Sequence, residues 1–143
     1  MSVTWYDAVG YCNWLSAREG VPADQWCYEP NEKGEYAEGM RMKAGHLKLR
    51  GYRLPTEAEW EFAGRSGSVA ARHYGRGEDL LPRYGWFQKN AEGQTWPVGR
   101  LRPNDLGLFD ALGNAQEWTE DPGFTYATSK IYDTENKPYL LIY

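Results

Sequence analysis

Large aromatic side chains are the dominant feature of this sequence, with 7 Trp and 11 Tyr among 143 residues. Such rings bury a large apolar area, but each indole N–H and phenol O–H needs a hydrogen-bond partner inside a core. The sequence therefore predicts a core built from rings with polar edges. A chain of this length fits a single domain over residues 1–143 and can bury about two-thirds of its unfolded surface.

A first helix is predicted over residues 5–19. Thr4 can cap its N-terminus, and Asp7 lies in the first turn, where the helix dipole favours a carboxylate. Gly20 and Pro22 are expected to end the helix. An apolar stripe at helical spacing predicts the buried face, and it comprises Ala8, Tyr11, Cys12 and Leu15.

A second helix is predicted after Pro55, where the sequence Thr56-Glu57-Ala58-Glu59 forms a capping box. In this motif the threonine hydroxyl accepts a hydrogen bond from the amide of residue 59, while the Glu59 carboxylate accepts one from the amide of Thr56. Gly64 and Gly67 are expected to end this helix.

Short strands and loops are predicted for the rest of the chain. Residues 25–28, 36–42 and 116–119 have strand character and are separated by segments rich in Gly, Pro and Asn. Residues 138–143 are apolar and β-prone, and such a strand needs a partner. A second chain would supply one, so self-association through the C-terminal segment is expected as one solution. The predicted fold class is α+β, with two helices, short irregular antiparallel strands and many loops.

The composition argues against a nucleic-acid partner and against a membrane span. The net charge is −4, whereas a nucleic-acid surface would be basic. A mean hydropathy of −0.75 without a long apolar run disfavours a membrane-spanning helix. Residues 1–20 lack the pattern of a signal peptide. The compartment stays open, with the cytoplasm as the default.

Cysteine and histidine are too sparse for a disulfide framework or a zinc site. The cysteines are Cys12 and Cys27, and the histidines are His46 and His73. Neither pair has the spacing of a zinc motif. Burial in the apolar stripe is the expected role of Cys12.

Five segments, taken in chain order, resemble the formylglycine-generating enzyme family, also called sulfatase-modifying factors. The resemblance implies the fold of that family, a variant of the C-type lectin fold. The segments are VTWYDA (3–8) with YCNWL (11–15), YRLPTEAEWE (52–61), PVG (97–99), PNDLGLFD (103–110) and GNAQEW (113–118).

The cysteine chemistry of that family has no counterpart in this sequence. Formylglycine generators carry a Gly-Gly-Ser-aromatic motif and two active cysteines that bind copper(I), both after the Glu-Trp strand. Here no Arg-Gly-Gly-Ser sequence occurs and no cysteine follows Cys27. The chain thus resembles a partial family domain, truncated at both ends, with residues 122–143 as a divergent tail. The resemblance implies the fold without the oxidase activity, so neither a catalytic residue nor copper is expected.

A calcium site is implied by the resemblance at the turn from Asp110 to Glu117. Asp110 and Glu117 would give side-chain carboxylates, and Gly113 and Ala115 would give backbone carbonyls. Calcium prefers such oxygen sets, and the Gly-Asn pair at 113–114 permits a sharp turn. The alternative from the residues alone is a plain turn in which Asp110 caps a backbone amide.

A second calcium site of the family would use Asn90 and the backbone of Ala91. The loop over residues 92–96 is short and offers only Glu92 as an acidic partner. This departure from the family pattern weakens the expectation.

Three functions stay open at this point. The first is a noncatalytic, calcium-supported module that binds a protein or a small-molecule ligand. The second is the central fragment of a larger oxidoreductase of the formylglycine-generating type. The third is a display protein of C-type-lectin-like fold whose terminal region is diversified for ligand capture.

Overall fold

The computed structural model describes residues 3–121 and the backbone of residues 140–141. Within these residues the helices are α1, Trp5–Arg18, and α2, Glu57–Arg65. The strands have two residues each: β1 Tyr28–Glu29, β2 Arg41–Met42, β3 Gly85–Trp86, β4 Leu112–Gly113, β5 Glu117–Trp118 and β6 Leu140–Leu141. This content confirms the α+β class with two helices, short strands and many loops, while the C-type lectin assignment stays a prediction.

The strands pair into three two-stranded sheets. Strands β1 and β2 are antiparallel, as are β5 and β6, but β3 and β4 run parallel. The expectation of antiparallel strands is therefore wrong for one sheet. A parallel pair requires a long crossover connection, and residues 87–111 supply it between β3 and β4.

The chain divides into two compact units, Met1–Leu54 and Pro55–Tyr143. The expectation of one domain over residues 1–143 stays a prediction. The expected divergent tail, residues 122–143, lies outside the described residues apart from the backbone of strand β6.

In the first unit, helix α1 begins with a capping box in which Thr4 and Asp7 bond reciprocally. The Asp7 carboxylate accepts hydrogen bonds from the side chain and the backbone of Thr4, and these bonds hold its pKa below the ordinary value. The helix ends one residue before the predicted limit.

The buried face of α1 differs from the predicted stripe. Tyr11 is 58% exposed, whereas Asn13 is 1% and Ser16 0% exposed. Asn13 Nδ2 donates to the Tyr28 carbonyl at 2.7 Å, and Ser16 Oγ donates to the Cys12 carbonyl at 2.8 Å. These bonds satisfy the amide and hydroxyl donors of the two side chains, which lowers the free-energy cost of burying them. Cys12 is buried as predicted.

The buried core also differs from the expected assembly of rings. Its apolar members among the described residues are Val9, Cys12, Cys27, Tyr28 and Leu54. Tyr28 is the one aromatic ring in this set, and its hydroxyl accepts a hydrogen bond from the amide of Leu54 at 3.0 Å. Most of the other described rings are half-buried or exposed, so they are available to line surfaces.

In the second unit, the predicted capping box of α2 is present between Thr56 and Glu59. The amide of Glu57 adds a hydrogen bond to the carboxylate of Asp121 at the N-terminal end of the helix. Helix α2 ends at Arg65 and is followed by Ser66 in the left-handed conformation.

The apolar C-terminal segment finds its partner strand within this chain. Strand β6 pairs with β5 in the register Glu117↔Leu141 and Trp118↔Leu140. Self-association through this segment stays a prediction, although this pairing does not require a second chain. Among the described residues, no helix has the length and apolarity needed to cross a membrane.

Candidate functional site

A cleft of about 830 Å³ lies in the second unit. Helix α2 contributes one wall, and the segments around β3 and β4 contribute others. The cleft is lined by aromatic and charged side chains, which include Trp60, Glu61, Arg65, Arg72, Trp86, Phe87, Asp110 and Glu117. Cavities of this size that mix rings with a few polar groups are the usual form of ligand sites.

The parallel pair β3–β4 forms one side of the cleft and depends on two glycines. Gly85 lies opposite Leu112, and Gly113 lies opposite Trp86. A Cβ atom on Gly113 would overlap the carbonyl oxygen of Trp86, and one on Gly85 would overlap that of Leu112. Gly113 also has a φ of +87°, which disfavours any residue with a Cβ.

A pair of stacked indoles stands behind this side of the cleft. The rings of Trp86 and Trp96 have centroids 4.9 Å apart and planes 16° apart. Asn114 holds Trp96 by two bonds: its Oδ1 accepts from the Trp96 amide at 2.8 Å, and its Nδ2 donates to the Trp96 carbonyl at 3.0 Å. The Trp86 ring, which lines the cleft, is therefore held in place by its stacking on Trp96.

All four residues of the first predicted calcium set line this cleft: Asp110, Gly113, Ala115 and Glu117. The turn that carries them is sharp, since Asp110 has a φ of +54° and Asn114 one of +69°. The sequence thus correctly predicted that the Gly-Asn pair bends the chain here.

The two carboxylates of this set each make one hydrogen bond. Asp110 Oδ2 accepts from the amide of Gly99 at 2.7 Å, which is the capping contact of the plain-turn alternative. Glu117 Oε2 accepts from the indole Nε1 of Trp60. Each carboxylate keeps a second oxygen, so these bonds are compatible with an ion on the other side. An all-oxygen set with two carboxylates fits calcium chemistry.

The second predicted set is engaged in the turn that follows β3. Asn90 Oδ1 accepts from the amide of Phe87 at 2.7 Å, and its Nδ2 donates to the carbonyl of Gly85 at 3.0 Å. The Ala91 carbonyl accepts from the indole of Trp96 at 3.0 Å. Ala91 lines the cleft. Its calcium role stays a prediction, and these contacts give Asn90 a structural role in shaping the turn.

Sequence reasoning missed the cleft residues on α2 and in the loop that follows it. Arg65 forms an ion pair with Glu61 at 2.6 Å on the surface of α2. Trp60 on α2 and Arg72 in the following loop also line the cleft. The i, i+4 spacing of Glu61 and Arg65 is a sequence signal for the ion pair. No sequence signal joins that pair to residues 110–117, because tertiary folding brings these segments together.

Both cysteines lie outside the cleft, in the first unit. Cys12 and Cys27 are buried thiols rather than disulfide partners. The Cys27 thiol donates to the Gly51 carbonyl at 3.3 Å. Burial and this hydrogen bond give the Cys27 thiol a role in packing the first unit.

These elements define a loop-rich α+β protein whose second unit has a ligand-sized cleft between helix α2 and the segments around β3 and β4. The chain belongs to the family of sulfatase-modifying factor enzyme 1-like domains, which matches residues 1–135. The resemblance carried by the five sequence segments is thereby confirmed.

Relatives of this chain include both enzymes and proteins with other names. It is 31% identical to "Chaperone protein LppX" of Paenibacillus barcinonensis, covering 90% of this chain and 56% of that protein. It is 42% identical to the formylglycine-generating enzyme of Mycobacterium tuberculosis, covering 75% of this chain and 42% of the enzyme. The solved structure of Treponema denticola variable protein 1 superposes with a TM-score of 0.73 at 29% identity, over 90% of this chain and 50% of that one. The chain thus spans about half, or less, of the length of these relatives.

Proposed function

We propose that this chain is a noncatalytic ligand-binding module of the sulfatase-modifying factor family, with calcium supporting one wall of its cleft. The observation that carries the proposal is the placement of all four predicted calcium residues on the cleft in the second unit. An ion at Asp110 and Glu117 would hold the turn that shapes the cleft. We further assign the fold to the formylglycine-generating-enzyme variant of the C-type lectin fold, on the order of the five family segments.

The chemistry of the donor set supports calcium rather than a softer metal. Asp110 and Glu117 offer carboxylate oxygens, and Gly113 and Ala115 offer backbone carbonyls on a turn with two left-handed residues. Among the described residues, no group of three His, Cys, Asp or Glu side chains could hold a metal ion, so a calcium site here would depend on the two backbone carbonyls as well as the two carboxylates. When bound, calcium would neutralise the two carboxylates and fix the turn.

The ligand class follows from the cleft walls. Trp60, Trp86 and Phe87 provide apolar ring surface, while Arg65 and Arg72 provide donors. A small molecule or a peptide side chain with an apolar body and polar edges would match this surface. No catalytic step is assigned, because both cysteines are buried in the first unit.

We expect Asp110→Asn and Glu117→Gln each to weaken calcium binding by about tenfold or more, since the charge of the ligand set controls affinity. The measurement is terbium luminescence excited through tryptophan, with calcium as the competitor. Both substitutions keep an oxygen that can accept the existing bonds from Gly99 and Trp60. The fold is therefore retained while the charge is lost.

Glu61→Gln is the matched control, because Glu61 lines the same cleft but belongs to the Arg65 ion pair. It should leave the calcium affinity unchanged within about twofold. Equal losses in all three variants would indicate a diffuse electrostatic effect and would contradict the assigned site.

A second candidate function is the central segment of a larger oxidoreductase of the formylglycine-generating type. It is favoured by the 42% identity to the M. tuberculosis enzyme, of which this chain covers 42%. The intact mass of the polypeptide made from its natural gene separates the two. A mass well above 16.4 kDa, with cysteines downstream, would support the enzyme. A mass of 16.4 kDa would exclude it and leave the binding module.

A further inference from the structure

A second cluster of polar and aromatic side chains lies beside the cleft, and the proposed function does not use it. We call it the His73 cluster, and it consists of His73, Tyr74 and Tyr84. The His73 ring meets Tyr74 edge to face at 4.9 Å and Tyr84 edge to face at 4.6 Å. The two tyrosine rings stack on each other at 4.9 Å with planes 17° apart. The half-buried imidazole therefore packs against the stacked phenol pair, nearly perpendicular to both rings.

The polar atoms of this cluster are buried without hydrogen-bond partners among the described residues. They are both ring nitrogens of His73 and the hydroxyl of Tyr74. A neutral imidazole has one N–H to satisfy, whereas the charged form has two and also carries a charge. Enclosure without acceptors therefore opposes protonation, because a buried charge without partners is costly.

The charged groups around the cluster do not reverse this balance. Burial lowers the pKa of His73 below its ordinary value of 6.5, and the opposing charge of Asp105 raises it by less. Burial likewise raises the pKa of Tyr74, with Arg72 opposing and Glu78 and Tyr84 adding to the rise. The Tyr74 phenol thus stays neutral near pH 7, and Asp105 is the acid whose charge acts on the imidazole among the described residues.

The cluster is joined through the backbone to two walls of the cleft. His73 and Tyr74 are the central residues of a turn closed by a hydrogen bond from the Gly75 amide to the Arg72 carbonyl at 3.0 Å. Arg72, the first residue of that turn, lines the cleft. On the other side, Tyr84 directly precedes strand β3, whose Trp86 also lines the cleft. The cluster therefore lies one residue from the Arg72 wall and two residues from Trp86 along the chain.

We propose that the His73 cluster is a pH-sensitive switch that keeps the cleft formed while His73 is neutral and loosens it when His73 gains a proton. Protonation places a charge and a second N–H at a site where the described residues offer no acceptor. The ring then leaves its contact with the stacked tyrosines, and the turn that carries Arg72 moves with it. Since the folded protein binds this proton less readily than the unfolded chain, its stability is fully present above about pH 6.5 and falls as the pH decreases below it.

The first test is a proton NMR titration of the full chain from about pH 8 to about pH 4.5, with a chelator present so that calcium plays no part. His46→Phe leaves His73 as the one histidine and so identifies its ring signals. We expect a midpoint below 6.5, with shifts of the Tyr74 and Tyr84 ring signals at the same midpoint. A midpoint at or above 6.5, or tyrosine signals that do not follow it, would overturn the proposal.

The second test compares the melting temperatures of the wild type, His73→Phe and His46→Phe at about pH 7.5 and about pH 5. Between these two pH values the melting temperature of the wild type should fall by about 3–5 °C for each pH unit by which the pKa of His73 is lowered. The melting temperature of His73→Phe should not show this decrease. His46→Phe should retain it. If His73→Phe does not fold, the NMR midpoint of His46→Phe decides alone. Because neither test uses calcium or a ligand, their outcome is independent of the proposed binding function.

Discussion

Replacing Gly113 with alanine is expected to destabilise the second unit by about 3–5 kcal/mol, from strain at a left-handed residue combined with overpacking. Gly113 has a φ of +87°, and its new Cβ would overlap the carbonyl oxygen of Trp86 across the parallel pair. Neither group can move easily, because the Cβ is attached directly to the backbone of one paired strand and the carbonyl belongs to the backbone of the other. Denaturant unfolding followed by tryptophan fluorescence and by circular dichroism measures the loss.

Gly77→Ala and Gly85→Ala separate the contribution of steric overlap from that of backbone strain in this loss of stability. Gly77 lies in the same unit, has no atom within 4 Å of an added Cβ and has no left-handed φ, so its substitution should change stability little. Gly85 has an ordinary φ, but its Cβ would overlap the carbonyl oxygen of Leu112. Gly85→Ala therefore measures the overlap without the strain. A Gly113→Ala variant as stable as Gly77→Ala would show that β3 and β4 are not paired as described.

The local signals of this sequence predicted local structure well. The capping box of Thr56 and Glu59 gives helix α2 its start, because all of its donors and acceptors lie within one turn. The predicted stripe of α1 was wrong at Tyr11, because apolar spacing does not show which polar side chains find buried partners. Asn13 finds its partner in the carbonyl of Tyr28, and Ser16 Oγ also accepts a hydrogen bond from the amide of Tyr52; both partners are distant in sequence.

Long-range structure could not be predicted in the same way. Strands of two residues carry no periodicity, so nothing in the sequence indicates that β3 pairs in parallel with β4. The calcium role of the turn over residues 110–117 was inferred from family resemblance and stays a prediction, whereas the bend itself follows from the Gly-Asn pair. That Trp60 and Arg72 line the same cleft could be seen only in the tertiary structure, since helix α2 and the following loop are remote from that turn in sequence.

A buried side chain, Asn104, which is 5% exposed, ties the C-terminal end of α2 to the loop over residues 104–108. Its Nδ2 donates to the carbonyl of Ala63 at 2.7 Å, near the end of α2. Its Oδ1 accepts from the amides of Leu106 and Leu108 at 3.1 Å and 3.0 Å. One amide group thus closes the loop 104–108 and ties it to the helix.

We expect Asn104→Ala to destabilise the second unit by about 2–4 kcal/mol, because it leaves the carbonyl of Ala63 and two loop amides without their partner in a part-buried site. Hydrogen exchange is the sharpest measurement, since the amides of Leu106 and Leu108 should lose protection before the rest of the unit. Denaturant unfolding gives the total loss.

Asn104→Asp distinguishes the two halves of this contact. The carboxylate can still accept from Leu106 and Leu108, but it cannot donate to Ala63 and places a negative charge near that carbonyl. The loop amides should therefore stay protected while the overall stability still falls. Arg102→Ala, at an exposed neighbouring position, should change neither quantity. If Asn104→Ala and Arg102→Ala behaved alike, Asn104 would not be the link between α2 and the loop, and the α2 wall of the cleft would need another support.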